Sequence, residues 1–326
     1  MPVHPNLDAE LAAIVAAGAM PPVDFAGLTV ADIPELRVQM DAMLAAMGEP
    51  PADDRVVTED RLIPGPDGDP DIKVRIYRPA GLPSPAPVVY WIHGGGMILG
   101  DLRTGENVVV DLACEVGCAV VSVEYRLAPE HPDPAPVEDC YAGLVWVAKN
   151  AAELGFDPDR IAVAGGSAGG GLAAGTALLA RDRGGPALAM QMLIYPMLDD
   201  GNDSPSAREF SGEWPSWNWE ASELGWNALL GERRGTEAVS PYAAPARAAD
   251  LTALPRTYID VTELEVFRDE CYAYARRLSE AGVSTEFHVY PGVFHAWEML
   301  APETALARQA HDLRVAALRR WLTRQP

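Results

Sequence analysis

Lysine is almost absent from this chain. Lys73 and Lys149 are the only two, and the other basic residues are arginines. Lysine and arginine together number 25 against 47 acidic residues, a net charge of −22. A surface so short of positive charge argues against nucleic acid and anionic membranes as partners. Cysteine is scarce too. Cys114, Cys118, Cys140 and Cys271 form no C-x-x-C pair, and no histidine stands at ligand spacing from Cys114 and Cys118. Neither a small disulfide scaffold nor a zinc site is expected, and all four read as reduced, mostly buried small residues. No G-x-x-x-x-G-K-[ST] phosphate loop occurs. The apolar stretch from Leu11 to Met20 is too short to cross a bilayer, and Met1 to Asp8 lacks a basic n-region. A soluble cytoplasmic protein is the expectation.

What is present is apolar: 48% of 326 residues, enough for the core of one large α/β domain with insertions. Residues 1 to about 50 read as helices. Leu11, Ile14, Val15 and Gly18 share a face, Pro21-Pro22 interrupts, and Leu36, Met40, Met43, Leu44 and Met47 resume helical spacing. Arg55–Pro64 and Ile72–Pro79 alternate as strands around the turn Pro66-Asp67-Gly68-Asp69, which predicts an antiparallel hairpin. Buried strands are expected at Pro87–Ile92, Ala119–Glu124, Arg160–Ala164, Leu188–Tyr195, Thr257–Val261 and Thr285–Tyr290. Helices are expected between them at Val108–Val116, Val137–Asn150, Leu172–Arg181 and Arg268–Ala281, with a closing helix at Thr304–Leu322. That alternation predicts a mostly parallel sheet covered on both faces. Asp199 to about Gly231 breaks it. This stretch holds Trp214, Trp217, Trp219 and Trp226 with no strand pattern, and it reads as an insertion.

One stretch carries chemistry in its spacing. Ala162 to Leu172 is an apolar run, a glycine cluster around Ser167, and the start of an alanine-rich helix. Gly165-Gly166-Ser167-Ala168-Gly169 fits G-x-S-x-G, the pattern of a sharp strand-to-helix turn that lifts a serine clear of a sheet. Side chains flanking that serine would collide with the neighbouring strand and helix. The helix N-terminus beneath it favours negative charge. A hydroxyl needs a base and a group that orients the base, in the order serine, acid, histidine for this kind of turn. The histidines after Ser167 are His288, inside a strand pattern, His311, inside the last helix, and His295, in a loop just past a strand. Loop residues held by a rigid sheet are where catalytic groups sit, which favours His295. Asp260, Glu263, Glu265 and Asp269 all stand near the preceding strand end as acids, and local pattern does not choose among them. An oxyanion would need converging N–H groups. Ala168 supplies one, and the glycine run His93-Gly94-Gly95-Gly96 after a strand offers others.

Five motifs now stand in order: His93-Gly94-Gly95-Gly96, Tyr125 to His131 (YRLAPEH), Gly165 to Gly170 (GGSAGG), Phe267-Arg268-Asp269-Glu270, and Tyr290 to His295 (YPGVFH). On these the chain resembles the bacterial hormone-sensitive-lipase-like carboxylesterases, α/β-hydrolases with a helical cap. The resemblance implies Ser167 as nucleophile, His295 as base, and an oxyanion hole from the N–H groups of Gly94, Gly95 and Ala168. It implies Glu265 as the acid, four residues before Asp269, where the family usually has aspartate; Asp260 is the runner-up. It implies a cap built from residues 1–50 and 199–231 on a catalytic domain of residues 51–326, with methionines and tryptophans lining an acyl or alcohol pocket. It also implies a small ester substrate with a short to medium acyl chain, no metal or cofactor, and a homodimer through a sheet edge. The same triad would serve an amidase or acyltransferase, and a non-catalytic receptor would keep the pocket without the histidine. Two residues depart from the family pattern: Gly166, where aspartate or threonine is common, and Asp133, where phenylalanine is common.

Overall fold

The structure is a computed structural model that describes residues 4–17, 24–47, 53–212 and 214–322. Among these residues eight strands form one sheet: β1 (Val56–Ile63), β2 (Ile72–Pro79), β3 (Ala86–Ile92), β4 (Ala119–Glu124), β5 (Phe156–Gly166), β6 (Met190–Ile194), β7 (Arg256–Leu264) and β8 (Thr285–Phe294). Their spatial order is β1-β2-β4-β3-β5-β6-β7-β8. The β1–β2 and β2–β4 pairings are antiparallel, and every pairing from β4 to β8 is parallel. All seven residues of β3 are buried, so helices cover both faces at the centre. Edge strand β1, by contrast, exposes Val57 and Leu62.

Among the described residues eleven α-helices surround the sheet: α1 (Ala9–Ala16), α2 (Ile33–Met47), α3 (Glu106–Val116), α4 (Ala135–Lys149), α5 (Ala151–Leu154), α6 (Ala168–Asp182), α7 (Pro205–Glu209), α8 (Trp219–Leu230), α9 (Arg268–Glu280), α10 (Trp297–Leu300) and α11 (Ala305–Leu322). Helix α3 packs with α11, and α4 with α6. Every residue of α6 from Ala168 to Ala180 is buried, which its glycines and alanines permit by letting neighbouring backbones come close. The four cysteines are unpaired; Cys118, Cys140 and Cys271 are buried and Cys114 is partly so. No helix among the described residues is long and apolar enough to cross a membrane.

Two expectations are corrected. The apolar helical stripe expected through Met43 does not reach it: the side chain is exposed, because the buried face of α2 runs through Ile33 and Leu36. Gly18, Pro21-Pro22 and the side chains of Leu44 and Met47 lie outside the described residues. The last strand extends four residues beyond Tyr290. An irregularity in the β7–β8 register between Thr262 and Leu264 absorbs the interruption by Pro291 and Gly292, and pairing resumes at Leu264 opposite Phe294. His295 therefore follows its strand directly.

Three attachments connect the N-terminal part and the stretch between β6 and β7 to the strand ends. Asp8 caps α1 through Glu10 N–H and Leu11 N–H, and its own N–H donates to Gly292 O. Arg37 of α2 donates to Ile98 O and Ala128 O and pairs with Glu130. Asp133, which departs from the family pattern, pairs with Arg233 just beyond α8 at 2.8 Å and donates its N–H to Leu229 O.

Candidate active site

Ser167 stands between β5 and α6 with φ 59° and ψ −126°, a conformation an L-residue holds only when its surroundings impose it. Here β6 imposes it. Ser167 N–H donates to Ile194 O at 2.9 Å, and Ser167 O accepts from Met197 N–H at 3.0 Å. Glycine is needed where α6 meets β3. A Cβ on Gly169 would lie 2.1 Å from Ile92 O and 2.4 Å from His93 O, so the helix start can pass only as bare backbone.

The fold brings Ser167, His295 and Glu265 together, each from the end of a different strand. Ser167 Oγ is 2.9 Å from His295 Nε2, and His295 Nδ1 is 2.9 Å from Glu265 Oε2. A carboxylate only accepts, so Nδ1 carries the proton and Nε2 accepts from the serine hydroxyl. Glu265 Oε2 also accepts from the Thr262 hydroxyl at 2.8 Å. Glu265 is wholly buried. Desolvation pushes its carboxyl above the ordinary carboxylate value, and the His295 imidazole and the Thr262 hydroxyl pull part of the way back. The His295 ring is held between Tyr195 and Phe267, at centroid distances of 4.5 Å and 5.2 Å, and its carbonyl accepts from Ser216 Oγ.

The other acids have different partners. Asp260, the runner-up, is buried in β7 against Arg314, with Nε to Oδ2 at 2.7 Å. Glu263 accepts from Gly292 N–H and Asn6 Nδ2. Asp269 accepts from Ser206 N–H. His288 lies within β8 beside Glu286, and His311 lies on α11 beside Glu115.

The glycine loop after β3 has its peptide planes fixed one by one. The Tyr125 hydroxyl donates to His93 O at 3.0 Å, and His93 Nδ1–H donates to Gly94 O at 2.8 Å. In a planar trans peptide C=O and N–H point opposite ways, so these two bonds set the directions of the Gly94 and Gly95 N–H groups. The His93 and Tyr125 rings stack at 4.3 Å. Burial lowers His93 to a pKa of about 4, which keeps the ring neutral at physiological pH. Among the described residues neither Gly94 N–H nor Gly95 N–H is engaged, and Ala168, first in α6, has no intrahelical acceptor. Gly95 also needs its missing side chain: its φ is +115°, and a Cβ would lie 2.2 Å from Leu99 O. Chemically, the arrangement offers an activated hydroxyl beside N–H donors oriented for negative charge.

Several contributors escaped sequence reasoning. Thr262, Tyr195 and Ser216 touch the acid or the histidine, as does Phe267 of the motif quoted above, and Trp217, one of the tryptophans expected at the pocket, lies over Gly96 with Phe25 at 5.4 Å. Of Thr262, Tyr195 and Ser216, only Tyr195 carries a sequence signal, since it directly follows a strand on the side where strands of a parallel sheet end at a site.

Comparison with known proteins identifies the family. Residues 89–299 match a family model described as the alpha/beta hydrolase fold. Carboxylesterase NlhH of Mycobacterium tuberculosis is 41% identical over 266 residues, covering 81% of this chain and 82% of that protein. Esterase LipI of the same organism is 36% identical over 308 residues, covering 92% and 95%. Among solved structures, one described as a bacterial heroin esterase superposes with a TM-score of 0.91 at 44% identity, covering 98% of this chain and 99% of its own. Esterase LipW from Mycobacterium marinum gives a TM-score of 0.85 at 39% identity, covering 98% and 97%. The chain belongs to the α/β-hydrolase fold family, among its hormone-sensitive-lipase-like carboxylesterases.

Proposed function

We propose that this protein is a serine carboxylesterase in which Ser167 is the nucleophile, His295 the general base and Glu265 the acid that orients it. The observation that carries the reading is the line of two 2.9 Å bonds from Ser167 Oγ through His295 to Glu265, set beside the N–H groups of Gly94 and Gly95, which no described residue engages. Ser167 Oγ attacks the ester carbonyl carbon while its proton passes to His295 Nε2. The carbonyl oxygen becomes an oxyanion held by the N–H groups of Gly94, Gly95 and Ala168. Glu265 stabilises the imidazolium across Nδ1–H and stays ionised itself. Collapse breaks the ester C–O bond, and the alcohol leaves with the proton from Nε2. Water then gives a proton to Nε2 as its oxygen attacks the acyl-serine. A second collapse frees the carboxylic acid and restores the Ser167 hydroxyl.

Residues 1–50 and 199–231 form the cap in this reading, over a catalytic domain of residues 51–326. Trp217 supports it: the indole comes from the second segment, lies on Gly96 of the glycine loop and meets Phe25 of the first segment. Such an aromatic wall suits short- to medium-chain acyl esters. A homodimer through a sheet edge belongs to the same reading, supported by exposed Val289 on edge strand β8.

The test is hydrolysis of p-nitrophenyl esters from acetate to long chain, with an organophosphonate adduct located by mass spectrometry. Hydrolysis with the adduct on Ser167, and none in Ser167→Ala, is expected. Turnover surviving in purified Ser167→Ala would overturn the mechanism. Preference for an anilide or for an alcohol acceptor would move the assignment to an amidase or an acyltransferase.

A further inference from the structure

Behind His295 lies a buried polar assembly that the reaction above does not use. Tyr195 follows β6 with φ +33°, a left-handed conformation, and its N–H donates to Asp260 O at 2.7 Å. Its ring meets the His295 ring edge to face. Its hydroxyl points away from the site and donates to Glu298 Oε1 at 2.6 Å. The same oxygen accepts from Arg314 Nη1 at 2.9 Å. Arg314 in turn donates from Nε and Nη2 to the two oxygens of Asp260, at 2.7 Å and 3.3 Å, and the Tyr258 hydroxyl also donates to Asp260. None of Tyr195, Asp260, Glu298 and Arg314 is more than 8% exposed.

The cost of this arrangement needs a reason. Removing three ionisable side chains from water costs several kcal/mol each, and well-packed apolar residues would seal α11 against the sheet as well or better. In some proteins a buried ion network of this kind serves to specify geometry. The geometry at stake is visible in the connectivity. Asp260 stands five residues before Glu265 on β7, Glu298 three residues after His295, and Arg314 on α11 joins them. The assembly therefore ties together the strand ends that present the acid and the base. What it holds against the imidazole is the tyrosine ring, fixed at its backbone end by Asp260 O and at its hydroxyl end by Glu298.

We propose that Tyr195, Glu298 and Arg314 are positioning residues for His295, the two charged residues acting through the tyrosine ring. The proposal rests on His295 being the general base. Anchored at both ends, the ring limits tilt and drift of the imidazole and keeps Nε2 aimed at Ser167 Oγ. Misplacement of a reacting group by about 1 Å costs up to about a hundredfold in rate, so partial loosening should cost about tenfold.

The experiment is a double-mutant cycle on p-nitrophenyl butyrate with kcat, KM and thermal melting measured for each protein. Tyr195→Phe keeps the ring and removes its anchor, Glu298→Ala removes the anchor from the other side, and Glu298→Gln keeps an oxygen that both donors can use. Tyr195→Phe and Glu298→Ala should each lower kcat about tenfold with KM within about twofold. The double variant should be no slower than the slower single, because both break one link. Glu298→Gln should recover most of the rate. Effects on kcat that multiply in the double variant, or a folded Tyr195→Phe with the parent kcat, overturn the proposal. If Glu298→Ala does not fold, Tyr195→Phe and Glu298→Gln decide it alone. Ser167→Ala is run alongside: activity there would sink the underlying mechanism, whereas an inactive Ser167→Ala beside a fully active Tyr195→Phe would sink only this inference.

Discussion

Replacing Glu265 by glutamine separates the charge of the acid from its shape. The side chain is wholly buried and nearly isosteric with glutamine, so no cavity opens. What disappears is a negative charge 2.9 Å from His295 Nδ1. At an effective dielectric of about 20, that separation gives an attraction of about 6 kcal/mol once the imidazole becomes imidazolium. An amide oxygen facing Nδ1–H would keep a neutral hydrogen bond of about 1 kcal/mol. The remainder, about 5 kcal/mol, lowers kcat by roughly three and a half powers of ten. KM should stay within a few-fold, since the interaction is made in the transition state and not in substrate binding. Stability should move the other way. Because burial raises the Glu265 carboxyl above its unfolded-state value, the native state holds a proton there more tightly than the unfolded chain does. The stabilisation from that proton is present below the unfolded-state value and lost as pH rises through the folded-state value. At pH 7 the ionised group is a burden, and Oε1 has no hydrogen-bond partner among the described residues. Glu265→Gln should therefore unfold at equal or higher urea concentration than the parent at pH 7, with that advantage shrinking toward pH 4. Steady-state hydrolysis of p-nitrophenyl butyrate and urea titrations at the two pH values measure both. A variant keeping more than about a tenth of the parent kcat would refute the reasoning, and a larger loss in Asp260→Asn would shift the acid to Asp260.

Two further outcomes follow from the glycine loop and its support. His93 is held neutral, with a folded-state pKa of about 4 against 6.5 in its ordinary state. Its depressed value contributes stability that is full above pH 6.5 and lost as pH falls through about 4, which amounts to about 3 kcal/mol. Urea unfolding at pH 7 and pH 4 should show the parent losing about 3 kcal/mol more than His93→Gln; equal losses would contradict the assignment of a neutral buried ring. The glycines Gly95 and Gly166 should differ sharply. Alanine at Gly95 must adopt φ +115° and meet Leu99 O at 2.2 Å, so the loop shifts and kcat/KM should fall by about a hundredfold. Alanine at Gly166 meets only the Tyr195 ring, at 3.5 Å, and activity and melting temperature should stay near the parent. The reverse ranking in the same p-nitrophenyl assay would show that the Gly95 backbone has no role in holding charge.

Some of this protein is local, and sequence alone determined it. The β2 and β4 spans match the alternation and the apolar runs residue for residue, because side-chain period and turn chemistry act over a few positions. The turn at Ser167 is local in the same way: glycine spacing, an apolar run before it and small residues after it leave the backbone little else to do. The order of serine, acid and histidine along the chain follows from strands entering a parallel sheet in sequence. The choice among four carboxylates is different in kind. Asp260, Glu263, Glu265 and Asp269 share ten residues, and local pattern alone does not distinguish them, although the resemblance to the family singles out Glu265. Tertiary structure does so by giving each a distant partner: Arg314, Asn6, His295 and Ser206 respectively. Likewise the strand carrying His295 runs on past Pro291 and Gly292 because the β7 register slips opposite it. Tyr195 reads only as the end of a strand until α10 and α11 fold over its hydroxyl. Local conformation is decided by nearest neighbours. Which buried polar group faces which is decided by the packing of elements far apart in sequence, where each unpaired group would carry a desolvation cost until its partner arrives.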